Sequence, residues 1–381
     1  MAKWQGAMEK MGVNAGEKMG VNAEFWRGRR VFLTGHTGFK GGWLSLWLRH
    51  MGAEVTGYAL AAPGEPNLFT VADVARDMNS ITGDVRDAAV LARAMRDARP
   101  EIVIHMAAQS LVRLSYAQPV ETYATNVMGS VHLFEAVRAS PGVRAVVNVT
   151  SDKCYENREQ DYAYREDDAM GGFDPYSSSK GCAELVSAAY RNSFFPVADY
   201  ARHGVAVATA RAGNVIGGGD WAVDRLIPDM VRAFGAGEAV VIRAPDAVRP
   251  WQHVLEPLAG YLTLAQALYA SGPEFAQGWN FGPDAQDARP VGYIVEKMAG
   301  LWGDGATWTL DARAQPHEAH LLTLDSGKAH EKLGWRGVWT LDAALERIVA
   351  WHKAHLAGAD MRARTLGDID AYMQRVAGGG R

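Results

Sequence analysis

The sequence predicts an α/β protein, a doubly wound parallel sheet followed by a smaller carboxyl-terminal unit. Short, β-branched apolar runs bounded by polar residues recur through the first half, each followed by a segment of helical periodicity. That alternation specifies a parallel sheet covered on both faces. A glycine-rich stretch, Gly35-His36-Thr37-Gly38-Phe39-Lys40-Gly41-Gly42, follows the first apolar run at once and opens the first helix. The run 145–147 ends in Asn148-Val149-Thr150-Ser151-Asp152-Lys153-Cys154-Tyr155. A hydroxyl, a carboxylate and an amine thus leave one strand at the carboxyl edge, where open α/β sheets bind ligands.

Taken in order, residues 31–34 form the first strand, and Trp43, Leu44, Trp47, Leu48 and Met51 recur at helical spacing until Gly52 stops them. Residues 54–59 are the second strand and 80–82 the third, separated by a loop with Pro63 and Pro66. Asp87 caps a helix that runs to Arg99 and ends at Pro100; 101–106 is the fourth strand. A long amphipathic helix over 122–138 leads into the fifth strand. Tyr176 opens the next helix, and 205–210 is a further strand. Beyond it come a glycine-rich loop at 213–221, helices at 226–234, 255–270, 291–302 and 341–356, and strands at 239–243, 279–281 and 321–324. The chain divides into a dinucleotide-binding unit, 24–212, and a substrate unit, 213–375, although the helix at 255–270 can equally return to the first. Residues 9–15 and 17–23 repeat the heptapeptide EKMGVNA. Two copies are too few for a solenoid, so 1–23 reads as a disordered tail, with Met11 and Met19 as alternative starts.

Composition excludes several classes. A net charge of −4 with both signs interspersed lacks the basic footprint of a nucleic-acid binder. Cys154 and Cys182 are too few for a disulfide framework, and no Cys/His cluster has metal-ligand spacing. No apolar run approaches the roughly 20 residues of a membrane span. A cytoplasmic protein without nucleic-acid, metal or membrane partners is expected.

The chemistry lies in three groups of residues. Behind a strand and before a helix, Gly35, Gly38 and Gly41 present backbone N–H groups and a helix amino terminus to a pyrophosphate. The end of the second strand, Tyr58 to Ala62, holds neither acid nor base; without an Arg or Lys for a 2′-phosphate, NAD is favoured over NADP. Tyr176 and Lys180 stand at i and i+4 on one helix face. With Ser151 opposite, they suit hydride chemistry at a carbinol, Lys180 and the nicotinamide charge depressing the phenol pKa. Asp152 and Lys153 have two readings. Either they are an ordinary surface ion pair, or they are an acid and a base beside a transient ketone, the equipment for eliminating water.

The GxxGxxG spacing is similar to that of the extended short-chain dehydrogenase/reductase superfamily. The resemblance runs from Phe25 to about Met373 through LTGHTGFKG (33–41), TSDKCY (150–155), GGFDPYSSSKGCAE (171–184), RAGNVIGGGDW (211–221), RPWQHVLEP (249–257) and PHEAH (316–320). It implies a Rossmann-type fold and, within the superfamily, the sugar-nucleotide 4,6-dehydratases, in the branch that acts on CDP-glucose. Lys153 stands where the dTDP-glucose branch carries a glutamate. The implied cycle oxidises C4 of the sugar with Tyr176 as base and Ser151 on the new carbonyl. Water is then eliminated, with Asp152 as acid and Lys153, or a water it positions, as base; finally C6 is reduced while NAD stays bound. The resemblance further places Thr37 and Phe39 with the three glycines on the cofactor, Asp84 and Val85 at adenine, Ala107 and Ala108 at the nicotinamide, and Asn126 in support. Asn214, Arg225, Leu226, Arg249 and His320 fall on the nucleotide sugar. It also implies a homodimer or homotetramer, and a place in deoxysugar synthesis of the O-antigen, lipopolysaccharide type.

Overall fold

The computed structural model describes residues 20–311 and 321–378. Residues 1–19, most of the repeat, lie outside them, as does His320. The expected doubly wound sheet is present. Its strands are β1 (Arg30–Thr34), β2 (Glu54–Ala59), β3 (Asn79–Thr82), β4 (Ile102–His105), β5 (Ala145–Val149), β6 (Ala206–Ala212) and β7 (Gly278–Phe281), in the spatial order β7-β6-β5-β4-β1-β2-β3. Every neighbouring pair is parallel. The chain grows outward from β1 in both directions, so the switch point that opens a crevice falls between β1 and β4. Register sets what stands there. Thr34 pairs with His105 and His105 with Asn148, so β1, β4 and β5 end nearly level and release Gly35, Met106 and Ser151 along one edge.

Strand alternation divides the core. Val31, Leu33, Ile104 and Val147 face α1 (Phe39–His50) and α7 (Leu255–Ser271), meeting Trp43, Trp47, Leu258 and Leu262. Phe32, Val103 and Val146 face the other way, against Leu91 of α2 (Ala88–Ala98) and Leu133 and Phe134 of α4 (Gly129–Arg138). A third cluster joins α6 (Leu226–Gly235), α8 (Val291–Trp302), α9 (Leu341–Leu356) and the strand Val240–Ile242 through Met230, Ile242, Met298 and Ile348.

Several expectations change. The strand at 279–281 belongs to the central sheet, pairing with β6, rather than to the carboxyl-terminal unit. The helix before it, α7, is buried from Leu255 to Leu268. A helix apolar on all sides needs cover on all sides, and the sheet provides most of it. The helix expected over 122–138 begins earlier, as α3 (Pro119–Tyr123), and passes through a π-helical segment, Ala124–Met128, before α4. A short helix, Val112–Ala117, and the final helix α10 (Met361–Ala377) were not anticipated. Of the expected tail, residues 20–23 are ordered: Gln266 of α7 donates to the Gly20 carbonyl and accepts from the Asn22 N–H, at 3.0 and 2.9 Å.

Candidate active site

A cleft of about 1200 Å³ opens along the carboxyl edge of the sheet. Its first wall is the glycine loop. Gly35 adopts φ +78°, and a Cβ there would lie 2.8 Å from the Ala107 nitrogen; at Gly41 a Cβ would lie 2.0 Å from the Gly35 carbonyl oxygen. Only glycine fits either place. Gly38 caps α1 without a side-chain hydrogen bond. The first N–H groups of a 12-residue helix are therefore left to whatever occupies the cleft, an arrangement suited to a pyrophosphate.

The reacting groups meet beyond the loop. Ser151 Oγ donates to Asp152 Oδ1 at 2.9 Å and accepts from the Lys153 N–H at 3.2 Å. Asp152 is 2 % exposed, and its second oxygen, Oδ2, is buried with no hydrogen-bond partner. That disposes of the surface ion pair: the carboxylate is inside, while the Lys153 side chain lines the cleft. From the other wall α5 (Pro175–Ser193), capped by Asp174, brings Tyr176 and Lys180, both buried. Burial pushes the Tyr176 phenol up to about 12, a hydrogen bond with Ser151 acting against it and the Asp152 charge with it. The expected depression by Lys180 is not a property of the protein alone. Burial lowers Lys180 itself to about 8, and its amine donates to the Val149 carbonyl at 3.2 Å.

A buried ion pair holds these walls in register. Glu184 follows Tyr176 and Lys180 on the same face of α5 and accepts a fork from Arg211 of β6, Nε and Nη2 each at 2.8 Å. Thr150 and Thr209 donate to the same carboxylate at 2.5 and 2.7 Å. Arg211 also donates to the Tyr155 hydroxyl at 2.6 Å, which in turn donates to Asn280 Oδ1 at 2.7 Å. Burial alone would raise the Glu184 carboxyl, but the guanidinium and hydroxyls bring it below its ordinary value. The strand tip, the helix and β6 are thereby pinned together.

Arg225, at the amino cap of α6, donates to Asp220 Oδ2 at 2.9 Å and Ser110 Oγ at 2.8 Å. Asn214, Leu226 and the nearly buried Arg249 line the same end of the cleft.

The description "GDP-mannose 4,6 dehydratase" belongs to the family model that matches residues 32–348. The chain belongs to that family. Among curated members it is 59% identical to the CDP-glucose 4,6-dehydratase of Salmonella typhimurium over 92% of this chain and 97% of that one. Two solved structures are similar in fold. DesIV, the dTDP-glucose 4,6-dehydratase of Streptomyces venezuelae with NAD bound, has TM-score 0.72 and 24% identity over 87% of this chain and 98% of its own. MoeE5, in complex with UDP-glucuronic acid and NAD, has TM-score 0.70 and 26% identity over 85% and 99%. The expectation of an extended short-chain dehydrogenase in the CDP-glucose branch is borne out.

For this family member, the cleft gathers Gly35, Thr37, Gly38, Phe39, Gly41, Asp84, Val85, Ala107 and Ala108 with the catalytic candidates and Asn214, Arg225, Leu226 and Arg249. Asn126 does not line it. From the π-helical segment Asn126 accepts from the Gln109 N–H and donates to Ser179 Oγ, each at 2.8 Å, and so braces the cleft wall against α5. Three features escaped the sequence reading. Lys40 reaches the cleft half-buried, donating to the Tyr261 hydroxyl at 3.0 Å; burial of its amine, then Lys180 and Arg225, press it down to about 7, with Asp152 opposing. A lysine between Phe39 and Gly41, in the first turn of a helix whose other basic residues fall in its last turn, was the available signal. Arg86 lines the cleft beside Asp84 and Val85, where no basic residue was expected, but its guanidinium is engaged by Asp84 at 2.6 Å and by Glu121. The Glu184–Arg211 pair joins the ends of the segments 171–184 and 211–221, a contact that neither segment discloses by itself.

Proposed function

We propose that this chain is a CDP-glucose 4,6-dehydratase that converts CDP-glucose to CDP-4-keto-6-deoxyglucose and water, the entry to deoxysugar synthesis. The observation that carries the reading is Asp152: a buried carboxylate with one oxygen free, beside the Ser151–Tyr176–Lys180 group in a cleft whose glycine loop fits a dinucleotide. Oxidation at a carbinol needs only the hydroxyl, phenol and amine. The extra acid serves the departure of water.

NAD in that loop supplies the hydride acceptor and donor that make the overall reaction redox-neutral. As C4 gives up its hydride, Tyr176 removes the proton of the 4-hydroxyl and Ser151 hydrogen-bonds the new carbonyl. That carbonyl acidifies C5–H. Lys153, directly or through one water, takes the C5 proton while Asp152 protonates the C6 oxygen, so the C6–O bond breaks and water leaves. Lys180, anchored to Val149, keeps positive charge near the phenol. Arg225 and Arg249 suit the diphosphate, since a planar guanidinium donates bidentately. His320, Thr37, Phe39, Asp84, Val85, Ala107, Ala108, Asn214 and Leu226 keep the contacts given them above, and Asn126 a supporting one.

Incubation with CDP-glucose and NAD should yield a 4-keto-6-deoxy sugar, seen by its strong absorbance in alkali and by the loss of one water in mass. A recovered epimer, or unchanged substrate, overturns the reading. The exposed apolar side chains Tyr116, Val120, Tyr123 and Leu185 on neighbouring helices support a homodimer or homotetramer closed through that face, a point for analytical ultracentrifugation.

A further inference from the structure

The cleft beyond Arg225 is lined by the first turn of α6 and by the strand Val240–Ile242 with the two residues after it, Arg243 and Ala244. With the sugar at Tyr176 and the diphosphate at Arg225 and Arg249, this far end receives the base. Three charged side chains stand there, Asp224, Asp229 and Arg243. Arg243 has Nη1 3.9 Å from Asp224 Oδ1, beyond hydrogen-bond reach, and among the described residues it makes no hydrogen bond. By contrast, Arg225 is held by Asp220 and Ser110. Asp224 is itself kept in place by Arg113 at 3.6 Å. Arg243 and Asp224 thus form an edge with two parallel N–H donors beside an acceptor.

That order discriminates among pyrimidines. Cytosine shows an acceptor at O2, an acceptor at N3 and a donor at its 4-amino group, the full complement of guanidinium followed by carboxylate. Uracil and thymine show acceptor, donor, acceptor, which sets N3–H against a guanidinium donor and O4 against the carboxylate. We propose that Arg243, backed by Asp224, reads the base and sets a preference for cytosine over uracil and thymine. The inference rests on the proposed function for the placement of the sugar, and it supplies what the family resemblance could not, a physical reason for the base.

The test is calorimetric titration of the holoenzyme with CDP, UDP and dTDP. The parent should favour CDP by roughly 10- to 100-fold, the range of one good bidentate base contact. Arg243→Ala should lower CDP affinity by about that factor and leave UDP and dTDP unchanged. Arg243→Gln, whose amide offers one donor and one acceptor, should shift the preference toward UDP and dTDP; its melting temperature shows that it is folded. Arg243→Ala weakening all three nucleotides equally, or none of them, overturns the proposal. The two readings fail separately: loss of the function reading appears as CDP-glucose left unreacted while the CDP preference persists.

Discussion

At the β1–β4 end of the cleft the wall is backbone. Gly35 and Gly41 are there because a Cβ would strike Ala107 or Gly35 itself, and the donors are the N–H groups of an uncapped helix. At the Val240–Ile242 end the wall is side chain: Arg225, Arg243, Arg249 and Asp224, carried by loops, a helix start and the short strand Val248–Pro250. A backbone-built site tolerates little variation, because any added atom displaces the chain. A side-chain-built site can change its ligand by exchanging one residue while the fold stays the same. On the proposed reading, the backbone-built end takes the dinucleotide and the side-chain-built end is the place where a single substitution can change the ligand.

The two ends meet at Tyr176, where the largest effect is expected. Tyr176→Phe should lower turnover by about 10²- to 10⁴-fold, the usual contribution of a positioned acid-base group, while both ends still bind their nucleotides. Turnover within tenfold of the parent would mean that the ends do not converge on the phenol. Gly41→Ala attacks one end only. Its methyl, 2.0 Å from the Gly35 oxygen, should displace the loop and weaken dinucleotide binding roughly 100-fold, a common cost of a misplacement near 1 Å, with CDP binding preserved. Equal loss at both ends would erase the contrast drawn above.

Glu184→Gln tests what joins the walls. Leaving Arg211 without its carboxylate partner should cost about 3–5 kcal/mol in denaturant unfolding. A loss under about 1 kcal/mol would show the network to be slack. The smallest effect concerns Lys40. Burial holds its folded pKa at about 7 against an ordinary 10.5, so between those values the unfolded chain binds a proton that the folded chain does not. Stability therefore rises with pH across that window, and Lys180, held at about 8, adds to the rise only above its own pKa. Lys40→Met should lower the slope of stability against pH just above pH 7 in a series of melting curves; an unchanged slope would place the Lys40 amine in water.

Much of this site was legible before any coordinates. The glycine loop is readable because its chemistry is steric and local, and Tyr176 with Lys180 because helix geometry alone places i and i+4 together. Asp152 was legible as a residue but not as a state: its burial and free oxygen decide against a surface ion pair, and burial is a property of neighbours. In the protein itself burial raises the Tyr176 phenol, whereas the expected depression also draws on the nicotinamide charge. Arg86, absent from the end of β2 where a basic residue was sought, arrives from the loop after β3.

By itself the sequence determined the succession of the first five strands of the sheet, the glycine loop that follows the first of them, and the face of α5 that carries phenol and amine, because each follows from interactions within a few residues. Only the tertiary structure decided that β7 and α7 return to the central sheet, that Glu184 and Arg211 lock the strand tip to the helix, and that Arg243 and Asp224 share one wall of the cleft. Those pairings join residues tens to more than a hundred positions apart, and long-range packing, which chooses neighbours by shape and buried area, leaves no mark in local spacing.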